Sequence, residues 1–166
     1  MDIQQLRGLF EEQIRDLHSA ERQTLEALPG MIEAAGDARL RSALQDHLGE
    51  TRTQKERLET IADELGFDPG GHHCKGIDGI LQEGQELVKR ETSDSDVRDA
   101  AIIASAQRIE HYEMAGYGTA RTLARTLGED AAARHLQQTL DEEMEADKTL
   151  TAIATSGVNR EAAGES

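Results

Sequence analysis

The sequence contains almost no aromatic residues and almost no proline. It has no tryptophan, and only two phenylalanines, two tyrosines and two prolines in 166 residues. Strands favour aromatic side chains and nucleic-acid bases stack on them, so this composition argues against a β-sandwich and against base binding. Alanine, leucine, glutamate, arginine and glutamine dominate instead, and all of them are strong helix formers. The composition therefore predicts an all-α protein.

Positive charge and cysteine are also scarce. Eighteen basic residues face 33 acidic ones, which gives a net charge of −15 and predicts no nucleic-acid partner and no membrane partner. Cys74 is the single cysteine, so an intrachain disulfide is excluded. The N-terminal residues lack an apolar leader and no long apolar run follows, which together predict a soluble, cytoplasmic protein. The acid excess, with arginine in place of most lysine, is typical either of a salt-rich cytoplasm or of a GC-rich genome.

Apolar residues recur at helical spacing in four long stretches and one short stretch. The predicted helices are residues 2–35, 38–65, 76–91, 95–127 and 129–155. Gly36 is expected to end the first helix in a left-handed conformation, and Asp37 is expected to cap the second. Residues 157–166 are too polar and small to bury anything, so the predicted domain spans residues 1–156 and is followed by a disordered tail.

The spacing of the predicted helices also indicates how they are connected. Two short joints make two antiparallel pairs of long helices, and a link of about 30 residues, which carries the short helix, joins the pairs. This is the ferritin-like four-helix bundle with a short fifth helix in the long crossover connection. The short helix carries apolar residues on more than one side, and part of this strip is expected to close a two-fold interface: Ile77, Ile80, Leu81 and Leu87.

Every long helix carries an acidic residue into its apolar stripe near mid-length. These residues and their polar neighbours are Glu21, Glu50 with Gln54, Glu110 with Glu113, and Glu143 with Asp147. Packing several carboxylates together costs several kcal/mol per ion unless cations neutralise them. Hard oxygen ligands of this kind suit iron or manganese. The pattern predicts two divalent metal ions, with a polar core satisfied by hydrogen bonds as the alternative.

Histidines are missing from the positions where a ferritin-like metal site usually has them. Such sites take Glu-x-x-His from two helices, whereas Thr53 and Ala146 stand three residues after the two glutamates. His47, one turn before Glu50, and His18, one turn before Glu21, are the histidines that could orient the ligands or bind the metal. The coordination number and the identity of the metal stay open.

Several long motifs in the sequence resemble one known family. HLGETRTQ at 47–54, KGIDGILQEG at 75–84, VRDAAIIASAQRIEHYEMAGYGT at 97–119 and TLDEEMEADKTLT at 139–151 are similar to the YciF-like family of ferritin-like stress-response proteins. The resemblance covers nearly the whole chain. It implies a four-helix bundle with a short crossover helix, a homodimer, and a di-metal site that resembles the site of rubrerythrin. The implied metal-binding residues are Glu21, Glu50, Gln54, Glu110, Glu113, Glu143 and Asp147.

The sequence leaves three functions open. The first is a metal-dependent oxidoreductase acting on peroxide or dioxygen, with iron as the favoured metal, manganese as the alternative, and an unidentified electron donor. The second is iron storage or DNA protection in a cage, but acids on all four helices predict a complete site within one chain. The third is a non-enzymatic structural bundle.

Two other groups of residues attract attention on weaker grounds. His72, His73 and Cys74 stand together in the predicted loop, but they lack the four spaced ligands of a zinc site. We interpret the histidines as loop residues and Cys74 as a small buried residue that docks the short helix. Tyr112 and Tyr117 could be redox-active beside a metal, although packing alone accounts for them.

Overall fold

A computed structural model describes residues 5–89 and 94–164, and within these ranges it contains helices and no strand. The helices are α1 (Leu6–Ala34), α2 (Ala38–Leu65), α3 (Lys75–Lys89), α4 (Ser95–Leu127) and α5 (Asp130–Ile153), followed by a π-helical segment (Ala154–Val158) and α6 (Asn159–Ala162). The predicted all-α class is confirmed. Residues 2–4 and 90–91 of the predicted helices, and the last two residues of the chain, lie outside the described ranges.

The four long helices form a closed ring. α1 packs against α2 and α4, and α5 packs against α4 and α2, while α3 lies on the outside against α1 and α4. Short connections join α1 to α2 and α4 to α5, and the long connection carries α3. This arrangement confirms the predicted four-helix bundle with a short fifth helix in the crossover.

The core of the bundle is apolar at both ends and polar in the middle. One apolar cluster includes Phe10, Leu58 and Leu136, and the other includes Leu40 and Ile102. Between them lie the buried polar side chains, which share a position near mid-length of the long helices: Glu21, Thr24, His47, Thr51, Gln54, Glu110, Glu113, Thr139 and Glu143. The fold therefore places its acidic residues where all four long helices meet.

Local sequence signals set most of the helix ends. Asp37 caps α2 as predicted, because its Oδ1 accepts the amide N–H of Arg39 at 2.7 Å and that of Leu40 at 3.1 Å. Gly66 and Gly128 follow α2 and α4 with φ angles of 76° and 78°. This left-handed conformation favours glycine because glycine has no Cβ.

Gly36 has a different role from the one predicted for it. Its φ is not positive, so the expected left-handed stop is wrong. Instead, the buried side chain of Asp99 on α4 approaches the α1–α2 connection and accepts the amide N–H of Gly36 at 2.8 Å and that of Asp37 at 2.6 Å. A Cβ at residue 36 would lie 3.2 Å from Asp99 Oδ2. A close approach, and not a backbone angle, accounts for this glycine.

The chain beyond residue 156 buries more than its composition predicted. Val158 is 1% exposed and packs into the same apolar cluster as Leu40 and Ile102. The π-helical segment changes the angular register after Ile153, and the chain stays helical to Ala162. The expectation that residues 157–164 bury nothing is therefore wrong. Among the described residues, no helix combines the length and the hydropathy that a membrane span requires.

Candidate metal centre

Four buried side chains from three helices converge at the middle of the bundle. His47 comes from α2, Glu110 and Glu113 come from α4, and Glu143 comes from α5. Each offers one ligand atom, and these four atoms all lie within 4.8 Å of one another. His47 Nε2 is 3.4 Å from Glu110 Oε1. The side chains are thus close enough to share one cation.

The remaining long helix, α1, supports this cluster from the other side. Glu21 is fully buried, and the hydroxyl of Tyr117 donates a hydrogen bond to its Oε1. The hydroxyl of Thr24 donates to Glu113 Oε1 at 3.2 Å. One oxygen of each of these two glutamates is therefore held in place, and the other is left for a further partner.

Several buried oxygen atoms of these glutamates, and both ring nitrogens of His47, have no hydrogen-bonding partner among the described residues. These unpartnered buried atoms are both oxygens of Glu143, both ring nitrogens of His47, and Oε2 of Glu21, Glu110 and Glu113. Buried polar atoms without a partner are rare in folded proteins, because each costs its full desolvation energy. Carboxylates with an imidazole suit iron or manganese, so the residues present fit a metal centre.

Burial and mutual repulsion shift the protonation of the cluster. Burial raises the pKa of Glu21, Glu110 and Glu113 well above the usual range, and the nearby carboxyl group of Glu143 raises all three further. Burial lowers the pKa of His47, although Glu143 opposes this shift. Without a cation these glutamates tend to hold protons, whereas the imidazole stays neutral and keeps a lone pair for a metal.

The structure brings together four of the seven predicted metal-binding residues. Glu21, Glu110, Glu113 and Glu143 are buried at the centre. Gln54 is also buried, but its amide donates to Glu142 Oε2 at 3.3 Å.

The other two lie at the margin of the centre. The side chain of Glu50 is 48% exposed, with Oε2 3.9 Å from His47 Nδ1. Asp147 accepts a hydrogen bond from Gln107 at 2.9 Å and lies 3.3 Å from His111. Neither belongs to the four-residue cluster. Their role as ligands stays a prediction.

Of the two candidate histidines, only His47 reaches the cluster. His18 Nε2 lies 3.2 Å from Glu59 Oε1 and pairs with that residue instead. In the loop before α3, His72 pairs with Asp16 at 3.0 Å, and this loop holds no potential metal-binding group within the described part of the chain. Cys74 is fully buried against Ile77, which confirms its predicted docking role.

Two residues hold the ligands in a way that the sequence did not predict, Thr24 and Tyr117. Thr24 was not considered, although it follows Glu21 by three positions and so faces the same side of α1. Tyr117 was predicted to be either redox-active beside a metal or a packing residue, whereas its hydroxyl donates a hydrogen bond to Glu21. It stands four residues after Glu113 on α4, and this i, i+4 spacing is the signal that could have identified it.

The fold and this buried cluster define a class: a ferritin-like helical bundle with a carboxylate–histidine centre inside a single chain. Comparison with known families agrees with that class. The profile of DUF892, a domain of unknown function, matches residues 5–163. Protein YciF of Escherichia coli strain K12 is 37% identical over 163 residues, which is 98% of this chain and 98% of the length of YciF. The chain belongs to the YciF-like (DUF892) family.

Two solved structures are similar to this bundle over nearly its whole length. The crystal structure of the E. coli stress protein YciF matches with a TM-score of 0.90 and 38% identity, covering 95% of this chain and 99% of that one. YcfI from Rhodopseudomonas palustris matches with a TM-score of 0.87 and 43% identity, covering 90% and 95% of the two chains. The bundle is thus the fold of the family.

Proposed function

We propose that this protein is a stress-response protein that binds two divalent metal ions, with iron favoured and manganese as the alternative, and that the loaded centre reduces peroxide or dioxygen. A pair of such ions, when bound, would supply one electron each, enough to convert one peroxide and two protons into two molecules of water, or one dioxygen and two protons into peroxide. Turnover would require an external electron donor to reduce the oxidised ions again. The cytoplasmic location and the absence of nucleic-acid and membrane partners stay predictions, supported by the acidic composition.

One observation carries this proposal. Five buried side chains from all four long helices point unpartnered polar atoms at one place in the core: Glu21, His47, Glu110, Glu113 and Glu143. Leaving them so is costly, and cations would satisfy every one of them. Since all five come from one chain, the site does not need the shared subunit boundary on which small storage cages depend.

The residues of the chain have separable tasks in this centre. His47, Glu110, Glu113 and Glu143 would hold one ion, and Glu21 with the free oxygens of its neighbours would hold the other. Thr24 and Tyr117 fix the orientation of Glu113 and Glu21 through their hydroxyl groups. The apolar clusters above and below keep bulk water from the two ends of the centre, which strengthens the electrostatic contacts inside it.

The test is metal analysis of protein purified without chelator, followed by anaerobic titration of the metal-free chain with ferrous iron. We expect about two ions per chain and rapid oxidation of the bound iron by peroxide in a single turnover. Titration with manganese under the same conditions ranks the two metals. A chain that binds no ion in either titration would contradict the proposal.

A structural role without metal is the second candidate. The raised pKa values of three buried glutamates support it. Burial raises the pKa of Glu21, Glu110 and Glu113, so these groups can remain in the core as neutral acids. The same titration separates the two candidates, because a purely structural bundle binds no stoichiometric metal.

The chain is proposed to form a homodimer through the outer face of α3. Ile77 cannot contribute, since it is fully buried within the chain. Ile80, Leu81 and Leu87, the rest of the predicted strip, are partly exposed, and the first two also border an apolar cavity of about 370 Å³ between α1, α3 and α4. We expect sedimentation at micromolar concentration to give the mass of two chains, and Leu81→Glu to give one. A monomeric wild type would contradict the dimer, and a large shell would favour iron storage.

A further inference from the structure

A cavity connects the buried centre to the surface between α2 and α5. Its volume is about 190 Å³. Ala43 and Ala146 form part of its walls, Asp46 and Glu50 lie among its exposed residues, and His47 and Glu110 lie among its buried ones. It therefore passes from acidic surface residues to two side chains of the candidate centre.

His47 stands between the outer and the inner acids of this cavity. Its Nδ1 is 3.9 Å from Glu50 Oε2, and its Nε2 is 3.4 Å from Glu110 Oε1. The side chain of His47 is only 7% exposed, and neither ring nitrogen has a hydrogen-bonding partner within the described chain. A neutral imidazole carries N–H on one ring nitrogen and a lone pair on the other, so His47 can bind a cation at one nitrogen. With that lone pair on Nε2, His47 would bind an incoming ion on the side that faces Glu110.

The outer acids create a negative potential that one arginine relieves only in part. Arg57 pairs with both oxygens of Glu142, at 2.5 and 2.8 Å, and so offsets part of its negative charge. At Glu50, burial raises the pKa, and the negative charges of Glu142, Glu143 and Asp46 raise it further. These negative charges attract a cation towards Glu50, because a cleft lined by charges of one sign raises the local concentration of ions of the opposite sign.

We propose that this cleft is the port by which divalent cations reach the buried centre, with Glu50 as the outer binding group and His47, beside Glu110, as the first residue of the centre to bind the ion. The inference rests on the proposed function. It gives Glu50 a transient role in loading, which is distinct from permanent coordination and explains why the structure leaves this side chain half exposed.

The test compares the rate of metal uptake with its end point. Metal-free protein is mixed with cobalt(II), and the d–d absorption of the bound ion is followed in a stopped-flow instrument at low salt. The test variant is Asp46→Asn/Glu50→Gln. The control is Asp63→Asn/Glu64→Gln, which makes the same charge change at exposed positions on the same helix, about 20 Å further along.

We expect the test variant to take up cobalt about ten-fold more slowly than wild type, and to reach the same number of ions per chain. The control should load at the wild-type rate. Raising the salt concentration should slow wild type towards the rate of the test variant, because salt screens the attraction.

A steric variant tests the same port without changing charge. Ala146→Leu narrows the cavity and should also slow uptake with an unchanged end point, whereas Ala152→Leu, at an exposed position of α5, should not. Circular dichroism and the melting temperature confirm that each variant is folded.

The outcomes separate the port from the centre. Wild-type rates in both the charge variant and the steric variant would overturn the port and leave the centre intact. A loss of bound ions in Asp46→Asn/Glu50→Gln would make Glu50 a permanent ligand and overturn the transient role. A wild-type protein that binds no cobalt, iron or manganese would overturn the proposed function and the port with it.

Discussion

Replacing Glu110 with alanine should reduce the bound metal to less than about one-tenth of the wild-type content, because a missing carboxylate ligand costs several kcal/mol of binding energy. Glu110 is 2% exposed, and its Oε1 lies 3.4 Å from His47 Nε2. The nearby carboxyl group of Glu143 raises the pKa of Glu110. The ligand atom of Glu110 belongs to the group of four that lie within 4.8 Å of one another. Elemental analysis after purification without chelator measures this effect.

The matched control is Glu64→Ala, at an exposed position of α2. It should keep the full metal content. The isosteric variant Glu110→Gln separates coordination from packing, since it retains the side-chain volume and removes the charge. At pH 8 we expect Glu110→Gln to bind little metal. Its melting temperature should nevertheless exceed that of the metal-free wild type, by about 2–4 °C for each kcal/mol of carboxylate repulsion that the substitution removes. Full metal content and activity in Glu110→Ala would show that the centre lies elsewhere.

The metal-free and metal-loaded proteins should respond to pH in opposite directions. The pKa values of Glu21, Glu110 and Glu113 are raised in the folded chain, so folding takes up protons. The resulting stability is complete below the unfolded pKa and is lost as the pH rises through the folded pKa. Each pKa unit is worth about 1.4 kcal/mol per group.

The metal-free protein should therefore melt several degrees lower at pH 8 than at pH 5. His47 opposes this trend, because its pKa is lowered, but it is one group against three. The loaded protein should become more stable over the same range, since metal binding requires deprotonated carboxylates. Asp37, with a pKa of about 2, loses its contribution only at lower pH.

Calorimetric scans at pH 5, 6, 7 and 8, with and without metal, measure these opposite slopes. The double variant Glu110→Gln/Glu113→Gln provides the control, because it should flatten the slope of the metal-free protein. A metal-free wild type whose melting temperature rises steadily from pH 5 to pH 8 would contradict the prediction.

The helices and their order were predictable because their signals are local. Apolar periodicity, Asp37 as a cap, and Gly66 and Gly128 as left-handed ends each depend on a few neighbouring residues. The role of Gly36 was not predictable, because it depends on Asp99, a residue 63 positions away. Val158 was missed for a similar reason, since a π-helical segment changes the angle at which it meets the core.

The sequence predicted which side of each helix carries the candidate site, but not which residues on that side reach the centre. At about 100° per residue, His47 and Gln54 share one side of α2 to within about 20°, whereas Glu50 lies about 60° away. Gln54 and His47 are accordingly buried and Glu50 is not. Asp147 is about 40° from Glu143 by the same geometry, and it lies at the margin. A stripe of charged residues at i, i+3 and i+4 does not by itself resolve such differences.

The hydrogen bonds between Asp99 and the α1–α2 connection fix the position of the glutamates of α4 along the bundle. Asp99 fixes the axial position of α4 against the end of α1, and Glu110 follows it by 11 residues, which is about 16 Å along the helix. A slip of α4 by one helical turn would move its glutamates by about 5.4 Å, which is more than the spread of the four ligand atoms. A carboxylate at one end of the bundle thus sets the alignment of carboxylates at its middle.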